Sequence, residues 1–268
     1  MRMWKILAAI CGLFLVPACD AAAAVICTLV VGAADGQVQH ESGDCAMRNS
    51  PASTFKIPLA VMGFDAGILQ DAHAPLWPYR EDYKAWNARS KKATDPASWL
   101  QDSVLWYSQV LTRQMGMPNL RRHVDGFGYG NRVLAGDPGQ DNALTHAWLN
   151  SSLQISSREQ VDFLRKLRAR GLPVSRQAQD MAIAIMPVFA GGDGWTVSGK
   201  TGSGFQRKAD GAIDRSRAFG WFVGWAVKEQ RAVVFARLVR DDGGTATTAG
   251  PKTRDSILAD LPKLVSPP

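Results

Sequence analysis

A serine and a lysine three positions apart, Ser53 and Lys56, are the first residues whose types and spacing suit covalent chemistry. Residues i and i+3 share one face of a helix, and the apolar run 57–62 is compatible with one. The Lys56 amine can therefore lie one turn from the Ser53 hydroxyl and take its proton, which makes serine a good nucleophile. The alternative is a helix-capping serine and a solvated lysine.

A second segment with chemical potential is Lys200-Thr201-Gly202, at the end of a predicted strand. A cation and a hydroxyl at a strand end can hold a substrate carboxylate, and glycine lets the backbone approach a reacting group closely. Taken alone, the segment is equally compatible with a polar strand-to-turn junction.

Two further segments lie between these. Ser103-Val104-Leu105 by itself has the pattern of the start of a buried helix, because aliphatic and aromatic residues follow Ser103. Tyr129-Gly130-Asn131 by itself has the composition of a loop turn.

The elements that must position these residues occur in the order strands, helices, strands, helix. Helical signals dominate 50–190, where Ser156 and Glu159 form a capping box at the start of one helix. We therefore predict an α+β fold, with an antiparallel sheet built from N- and C-terminal strands, flanking helices and a mostly helical second lobe. The predicted strands are 25–33, 37–42, 194–201, 217–227 and 231–240, and the last helix spans 251–264.

The N-terminus has the order of an export signal: basic residues, an apolar run over 6–16 and a small-residue stretch over 21–24. This predicts a signal peptide over 1–24. An alternative lipoprotein cleavage box, ending at Cys19, would leave a lipid on that cysteine.

The remaining chain, 25–268, is long enough for one catalytic domain. No later segment reaches the roughly 20 apolar residues of a membrane span. We therefore predict a periplasmic protein without a membrane span.

Cys27 and Cys45 remain after signal removal, and paired thiols in an oxidising compartment usually form a disulfide. The hairpin turn at 34–36 places Cys27 opposite position 44 or 45. This predicts a Cys27–Cys45 disulfide.

Charge and histidine content argue against two other classes of function. The net charge is +7, but its basic residues are scattered, which does not favour nucleic-acid binding. No metal site is predicted, since no metal-ligand spacing occurs among the four histidines, His40, His73, His123 and His146.

In this order, the four segments resemble the penicillin-recognising serine enzymes. Trp148 and Phe219-Gly220-Trp221 add a resemblance to the class D (oxacillinase-type) β-lactamases in particular. The resemblance extends from Cys27 to the last helix. It implies hydrolysis of penicillin-type antibiotics through a Ser53 acyl-enzyme, and hence antibiotic resistance.

The class A β-lactamases use a glutamate as hydrolytic base, followed by x-x-Leu-Asn. Here Glu159 is the only glutamate between Tyr129 and Lys200, and it lacks that context. The resemblance to class D implies instead that carbon dioxide carboxylates Lys56 and that no other cofactor is used. Burial favours the neutral amine that this addition requires. The pocket residues implied are Phe55, Val104, Leu105 and Trp148, with the Trp148 indole N–H holding the carbamate.

The resemblance also assigns the remaining roles. The backbone N–H groups of Ser53 and Ser203 hold the oxyanion, and Ser103 passes a proton to the ring nitrogen with help from Lys200. Thr201 and Arg254 hold the substrate carboxylate, although Arg254 alone is also compatible with a solvated charge. The substrate site is completed by Tyr129, Leu105 and Gly202.

One residue departs from the family pattern, which usually has valine where this chain has Leu105. The larger, unbranched side chain predicts altered access of water or carbon dioxide to Lys56.

Two alternative functions stay open: a β-lactam-sensing domain that remains acylated, and a cell-wall D,D-peptidase. The motifs do not distinguish penicillins, cephalosporins and carbapenems as substrates, and they do not specify the oligomeric state.

Overall fold

The computed structural model describes residues 24–85, 87–208, 210–242 and 245–265. The strands are β1 Ala24–Gly32, β2 Val38–Gly43, β3 Arg48–Asn49, β4 Ile155–Ser156, β5 Val188–Ala190, β6 Thr196–Arg207, β7 Ile213–Lys228 and β8 Arg231–Asp242. The helices are α1 Lys56–Asp65, α2 Pro96–Asp102, α3 Leu105–Phe127, α4 Ala143–His146, α5 Ser157–Arg168, α6 Arg176–Ala184 and α7 Ala246–Leu264. A 3-10 turn at Ala52–Phe55 leads directly into α1.

The main sheet combines strands from both ends of the chain. Its order is β2-β1-β8-β7-β6-β5, and every neighbouring pair is antiparallel. The N-terminal strand β1 lies beside β8, with Leu29 opposite Ala236. The predicted α+β architecture is confirmed.

Both faces of the sheet are covered at its centre, since the consecutive β7 residues 218–226 are all buried and point alternately to opposite sides. On β7, Trp221 and Val223 face the large core beneath the helical lobe, whereas Phe222 joins a second core. That second core contains Ile257 and Leu261 of α7. The central strands are therefore fixed from both sides, which makes β6 and β7 a rigid platform.

Several boundaries differ from the predicted ones. The last helix begins at Ala246 and not at Pro251, because Thr245 and Thr248 close its first turn as a capping box. Proline favours a first helical turn, which misled the prediction. Strand β6 continues to Arg207, and β3, β4 and β5 were missed because two or three residues are too few for a recognisable pattern.

The predicted disulfide is present. Cys27 and Cys45 are bonded, with Cα atoms 5.0 Å apart. The register differs by one or two residues from the predicted one: Cys27 lies opposite Gly43, and the pairing of β1 with β2 shifts by one residue at a bulge between Val30 and Val31.

Replacing Cys27 and Cys45 together with serine is expected to lower the free energy of unfolding by about 3 kcal/mol. The reason is that the two cysteines are 18 positions apart, so the bridge closes a loop of that size and restricts the unfolded chain. Denaturant unfolding of the oxidised protein and the double variant measures this. Equal unfolding midpoints would contradict the prediction.

Most of the predicted signal peptide, with the alternative lipidation site Cys19, lies outside the described residues. Within the described ranges, none of the helices combines the length and apolar character needed to cross a bilayer.

Candidate active site

The nucleophile candidate Ser53 lies in the 3-10 turn that precedes α1. Its Oγ atom is 3.2 Å from the Nζ atom of Lys56, which begins the α-helix. In 3-10 geometry residues i and i+3 are eclipsed, so this pair is closer to alignment than in a regular α-helix. Ser53 is partly exposed, whereas Lys56 is fully buried. The hydroxyl is thus reachable from solvent and the amine beneath it is not.

The backbone before Ser53 is strained and firmly held. Ala52 has φ +47°, a left-handed conformation that costs a residue with a Cβ about 1–2 kcal/mol. Its N–H donates to the carbonyl of Trp148 at 3.0 Å, and the Ser50 hydroxyl donates to the same carbonyl at 2.7 Å. The loop around Trp148 therefore clamps the nucleophile turn on one side.

The second serine and the second lysine meet across the cleft. Lys200 Nζ donates to Ser103 Oγ at 3.1 Å, and it also lies 3.2 Å from the Thr201 carbonyl. A buried helix does begin in this segment, with α3 at Leu105, whereas Ser103 itself is the left-handed residue that ends α2, with φ +58°. That sharp turn between α2 and α3 directs the hydroxyl towards β6.

Burial removes the usual charge preference of both lysines. Desolvation, followed by the nearby charge of Lys200, lowers the pKa of Lys56 well below its ordinary range. Desolvation, followed by the charge of Arg254, lowers the pKa of Lys200 to about 7. The lowered pKa favours the neutral amine of Lys56, which is the form that accepts a proton, and a pKa of about 7 lets Lys200 exchange protons near neutral pH.

The residues that bear on a carboxylated Lys56 are buried side chains and one indole N–H. Trp148, Val104 and Leu105, the residues predicted to line an apolar pocket around this amine, are all buried. The Trp148 indole stacks on Phe55 with ring centroids 5.3 Å apart. Its buried Nε1 atom has no acceptor among the described residues. A buried donor without a partner costs free energy, and an anionic oxygen on Lys56 is the kind of acceptor that would satisfy it.

Strand β6 passes directly against the nucleophile turn. A Cβ atom on Gly202 would lie 2.8 Å from the Pro51 carbonyl and 3.0 Å from the Thr54 side chain, so only glycine fits. This contact brings the backbone of Ser203 beside the turn that carries Ser53. The Ser203 hydroxyl meanwhile accepts from the Gly250 N–H at 2.9 Å, which ties α7 to the same strand.

Arg254 lies close enough to lower the pKa of Lys200, but its guanidinium also has other contacts. Arg254 Nε donates to Asp255 Oδ1 at 2.8 Å, and its Cζ atom lies 5.2 Å from the Phe189 ring centroid. The side chain is thus held at one edge of the site by a carboxylate and an aromatic face.

Tyr129 requires a correction. It was predicted to bind substrate, yet it is 1% exposed and its hydroxyl donates to Gln160 Oε1 at 3.4 Å. Its ring packs on Phe55 and Phe163. Tyr129 therefore supports the nucleophile turn from behind and does not line the cleft, because its bulk fills the core beneath it.

Two contacts hold the end of β6 beside the nucleophile turn, and no sequence motif indicated the residues that make them. Arg207 Nη2 lies 2.5 Å from Asp137 Oδ1, and Asn150 Oδ1 accepts from the Phe205 N–H at 3.1 Å. Both contacts join the segment 137–150, which contains α4, to the end of β6.

The buried Gln160 was also missed, because a single glutamine on a helix carries no recognisable signal.

The lowered pKa of Lys200 leads us to expect that acylation depends on pH. With Lys56 uncarboxylated, the ammonium of Lys200 is present below about pH 7 and lost above that value. The anion of a carbamate on Lys56 would raise this pKa, so at high bicarbonate kcat/KM for a β-lactam is expected to fall with rising pH at or above neutrality. Arg254→Ala removes a like charge, which raises the pKa of Lys200 and moves this inflection to higher pH. The pH profile of kcat/KM at constant high bicarbonate measures the shift; an unmoved inflection contradicts it.

Leu105, which the sequence predicts to lie near Lys56, is buried and 6% exposed. Leu105→Val shortens the side chain and is expected to change turnover and its bicarbonate dependence by a few-fold, because a methylene removed from a packed pocket opens space for small molecules. Initial rates across a bicarbonate series measure this. Identical curves for the two proteins would show that Leu105 does not control access.

An antiparallel sheet beside a helical lobe, with Ser-x-x-Lys at their junction, defines a penicillin-recognising serine protein. The Penicillin binding protein transpeptidase domain family matches residues 27–263. Beta-lactamase OXA-9 of Klebsiella pneumoniae is 46% identical over 89% of this chain and 88% of its own length. Beta-lactamase OXA-1 of Escherichia coli is 33% identical over 83% of this chain and 78% of its own length.

Among solved structures, the OXA-427 class D β-lactamase superimposes with a TM-score of 0.81. It is 42% identical to this chain and covers 89% of it and 99% of its own length. The chain therefore belongs to the class D β-lactamases, a branch of the transpeptidase-type family.

Proposed function

We propose that this chain hydrolyses the β-lactam amide bond of penicillin-type antibiotics through an acyl-enzyme on Ser53, and so confers antibiotic resistance. The observation that carries this function is the contact of 3.2 Å between Ser53 Oγ and the buried amine of Lys56. A water-excluded base beside a reachable hydroxyl is the arrangement that nucleophilic acyl transfer requires. Membership of the class D β-lactamases supports the same conclusion.

In acylation, Ser53 Oγ attacks the lactam carbonyl carbon while its proton passes to the base at Lys56. The backbone N–H groups of Ser53 and Ser203 stabilise the oxyanion that forms. When the intermediate collapses, the carbon–nitrogen bond of the ring breaks. Ser103 then donates a proton to the leaving nitrogen, and the ammonium of Lys200, 3.1 Å away, resupplies it.

A carbamate on Lys56, when formed from carbon dioxide, supplies a base strong enough to serve both acylation and the later activation of water. Trp148 would hold it through the indole N–H, and Val104 and Leu105 keep its surroundings apolar. No other cofactor is proposed.

Substrate binding is assigned to the opposite side of the cleft. Thr201 and Arg254 would hold the carboxylate of the β-lactam, since a hydroxyl and a guanidinium are both donors to such a group. Gly202 lets β6 pack directly against the nucleophile turn, which brings Thr201 and Ser203 close to Ser53. Small-molecule β-lactams are thus the proposed partners of the site.

Export is part of the proposal. Residues 1–24 would direct the chain to the periplasm and leave one catalytic domain over 25–268, with lipidation at Cys19 as the alternative processing. The Cys27–Cys45 disulfide supports an oxidising compartment.

The test is to mix purified protein with a chromogenic cephalosporin in bicarbonate and to follow both colour and protein mass. Sustained turnover, absent in Ser53→Ala, is expected. One equivalent of product with a lasting mass increase would instead indicate a sensor domain, and turnover of D-Ala-D-Ala peptides would indicate a peptidase.

A further inference from the structure

A buried glutamine lies directly behind the nucleophile turn. Gln160, on α5, is 1% exposed, and its Nε2 atom donates to Thr54 Oγ1 at 2.8 Å. Its Oε1 atom accepts from the Tyr129 hydroxyl at 3.4 Å. Thr54 is the residue after Ser53, so Gln160 is bonded to the direct chain neighbour of the reacting serine. None of these three residues is used in the proposed chemical steps.

In this cluster Gln160 donates to Thr54 and accepts from Tyr129, and the Tyr129 hydroxyl also interacts with the Thr54 side chain. Thr54 Oγ1 donates its single hydrogen to the Pro51 carbonyl at 2.7 Å, so it can only accept from Gln160. Burial raises the pKa of Tyr129, which keeps its hydroxyl protonated and able to donate. The site between them therefore needs one donor and one acceptor on the same side chain. An amide meets this requirement, and neither a carboxylate nor an aliphatic group does.

Thr54 also touches the other half of the catalytic site. A Cβ on Gly202 of β6 would lie 3.0 Å from Thr54 Cγ2 and 3.2 Å from its backbone nitrogen. A shift of Thr54 would therefore change the spacing between Ser53 and the strand that carries Ser203. The turn has reason to shift, because Ala52 is held in a left-handed conformation.

We propose that Gln160 is a positioning residue for the nucleophile, which through Thr54 holds the Ser53 turn at the correct distance from β6. This inference rests on the proposed acyl-enzyme function. It gives Gln160, on the buried face of α5, a role in acylation that is separate from the roles of the base and the proton donors.

The principal test is Gln160→Leu, which keeps the side-chain volume but removes both hydrogen bonds. The acylation rate constant is measured by stopped flow with enzyme in excess over a chromogenic cephalosporin, at saturating bicarbonate and well below the melting temperature. Active sites are first titrated by protein mass. We expect acylation per competent site to fall by about 10- to 100-fold, the effect of a misplacement of about 1 Å, while deacylation of the trapped acyl-enzyme changes less.

Gln179→Leu is the matched control. Gln179 is also 1% exposed, and its side chain bonds only to backbone atoms of residues 170–175 in the described structure. It should lower the melting temperature without changing acylation per site. Gln160→Glu adds a second variant: it can accept from Tyr129 but cannot donate to Thr54, so acylation should fall as in Gln160→Leu.

Thr54→Val supplies the coupling measurement. If Gln160 acts through Thr54, Gln160→Leu should cause little further loss of acylation in the Thr54→Val background. The proposal is overturned if Gln160→Leu acylates at the wild-type rate per competent site, or if Gln179→Leu shows the same loss. A wild-type protein that does not turn over β-lactams would overturn the proposed function instead, so the two failures are distinguishable.

Discussion

Lys56→Ala is expected to lower kcat/KM for β-lactam hydrolysis by about 10³- to 10⁴-fold, the upper range for loss of a general base. The reason is that the Lys56 amine is the only side-chain partner of Ser53 Oγ in the described structure, at 3.2 Å. Without a base, the serine hydroxyl stays protonated and attacks slowly. Steady-state hydrolysis of a chromogenic cephalosporin, per milligram of folded protein, measures the effect.

Two further variants separate chemistry from folding. Lys56→Met keeps most of the side-chain length in an apolar pocket, so it should be as inactive as Lys56→Ala while it retains the melting temperature better. Lys166→Ala removes an exposed lysine that pairs with Asp162 on α5, and it should leave hydrolysis unchanged. Wild-type hydrolysis by Lys56→Met would remove Lys56 from the mechanism.

Trp148→Phe is expected to produce the second largest effect. The variant keeps the ring that stacks on Phe55 but loses the indole N–H, which has no acceptor among the described residues. A hydrogen bond to a charged group contributes about 1.5–3 kcal/mol, so carboxylation of Lys56 should weaken by about 10- to 100-fold. The variant should therefore accumulate acyl-enzyme at low bicarbonate and recover turnover at high bicarbonate.

Carbon-13 NMR in labelled bicarbonate measures the carbamate directly, and protein mass measures the trapped acyl-enzyme. Trp99→Phe is the control, since its indole N–H already donates to Ser108 Oγ at 2.9 Å. That variant should lose stability but keep the wild-type bicarbonate dependence. If Trp148→Phe shows an unchanged bicarbonate curve, the indole does not hold a carbamate.

Much of the local structure could be predicted because it depends on short spacings. The distance between Ser53 and Lys56 follows from three residues of helical geometry, whether the turn is 3-10 or α. The capping box of Ser156 and Glu159 forms as predicted, because its partners are also three residues apart. The core strands were recognisable because both faces are apolar, although their ends were not.

Pairings between distant segments were beyond such reasoning. The contact of Lys200 with Ser103 joins residues 97 positions apart, and only the packing of the helical lobe against the sheet brings them together. Family resemblance placed them in one site but did not indicate the low pKa of Lys200, which burial and Arg254 produce. Electrostatic shifts depend on the surroundings of a group in three dimensions, and these are absent from a motif.

The sequence by itself determined the serine, its neighbouring base, the disulfide partners and the class of fold, because spacing along the chain encodes each of them. The tertiary structure decided which side chains face the cleft and which support it from behind. It moved Tyr129 from the substrate site into the core, and it placed Gln160 behind Ser53. The physical reason is that burial and the orientation of a side chain are set by the packing of whole elements, which no local pattern specifies.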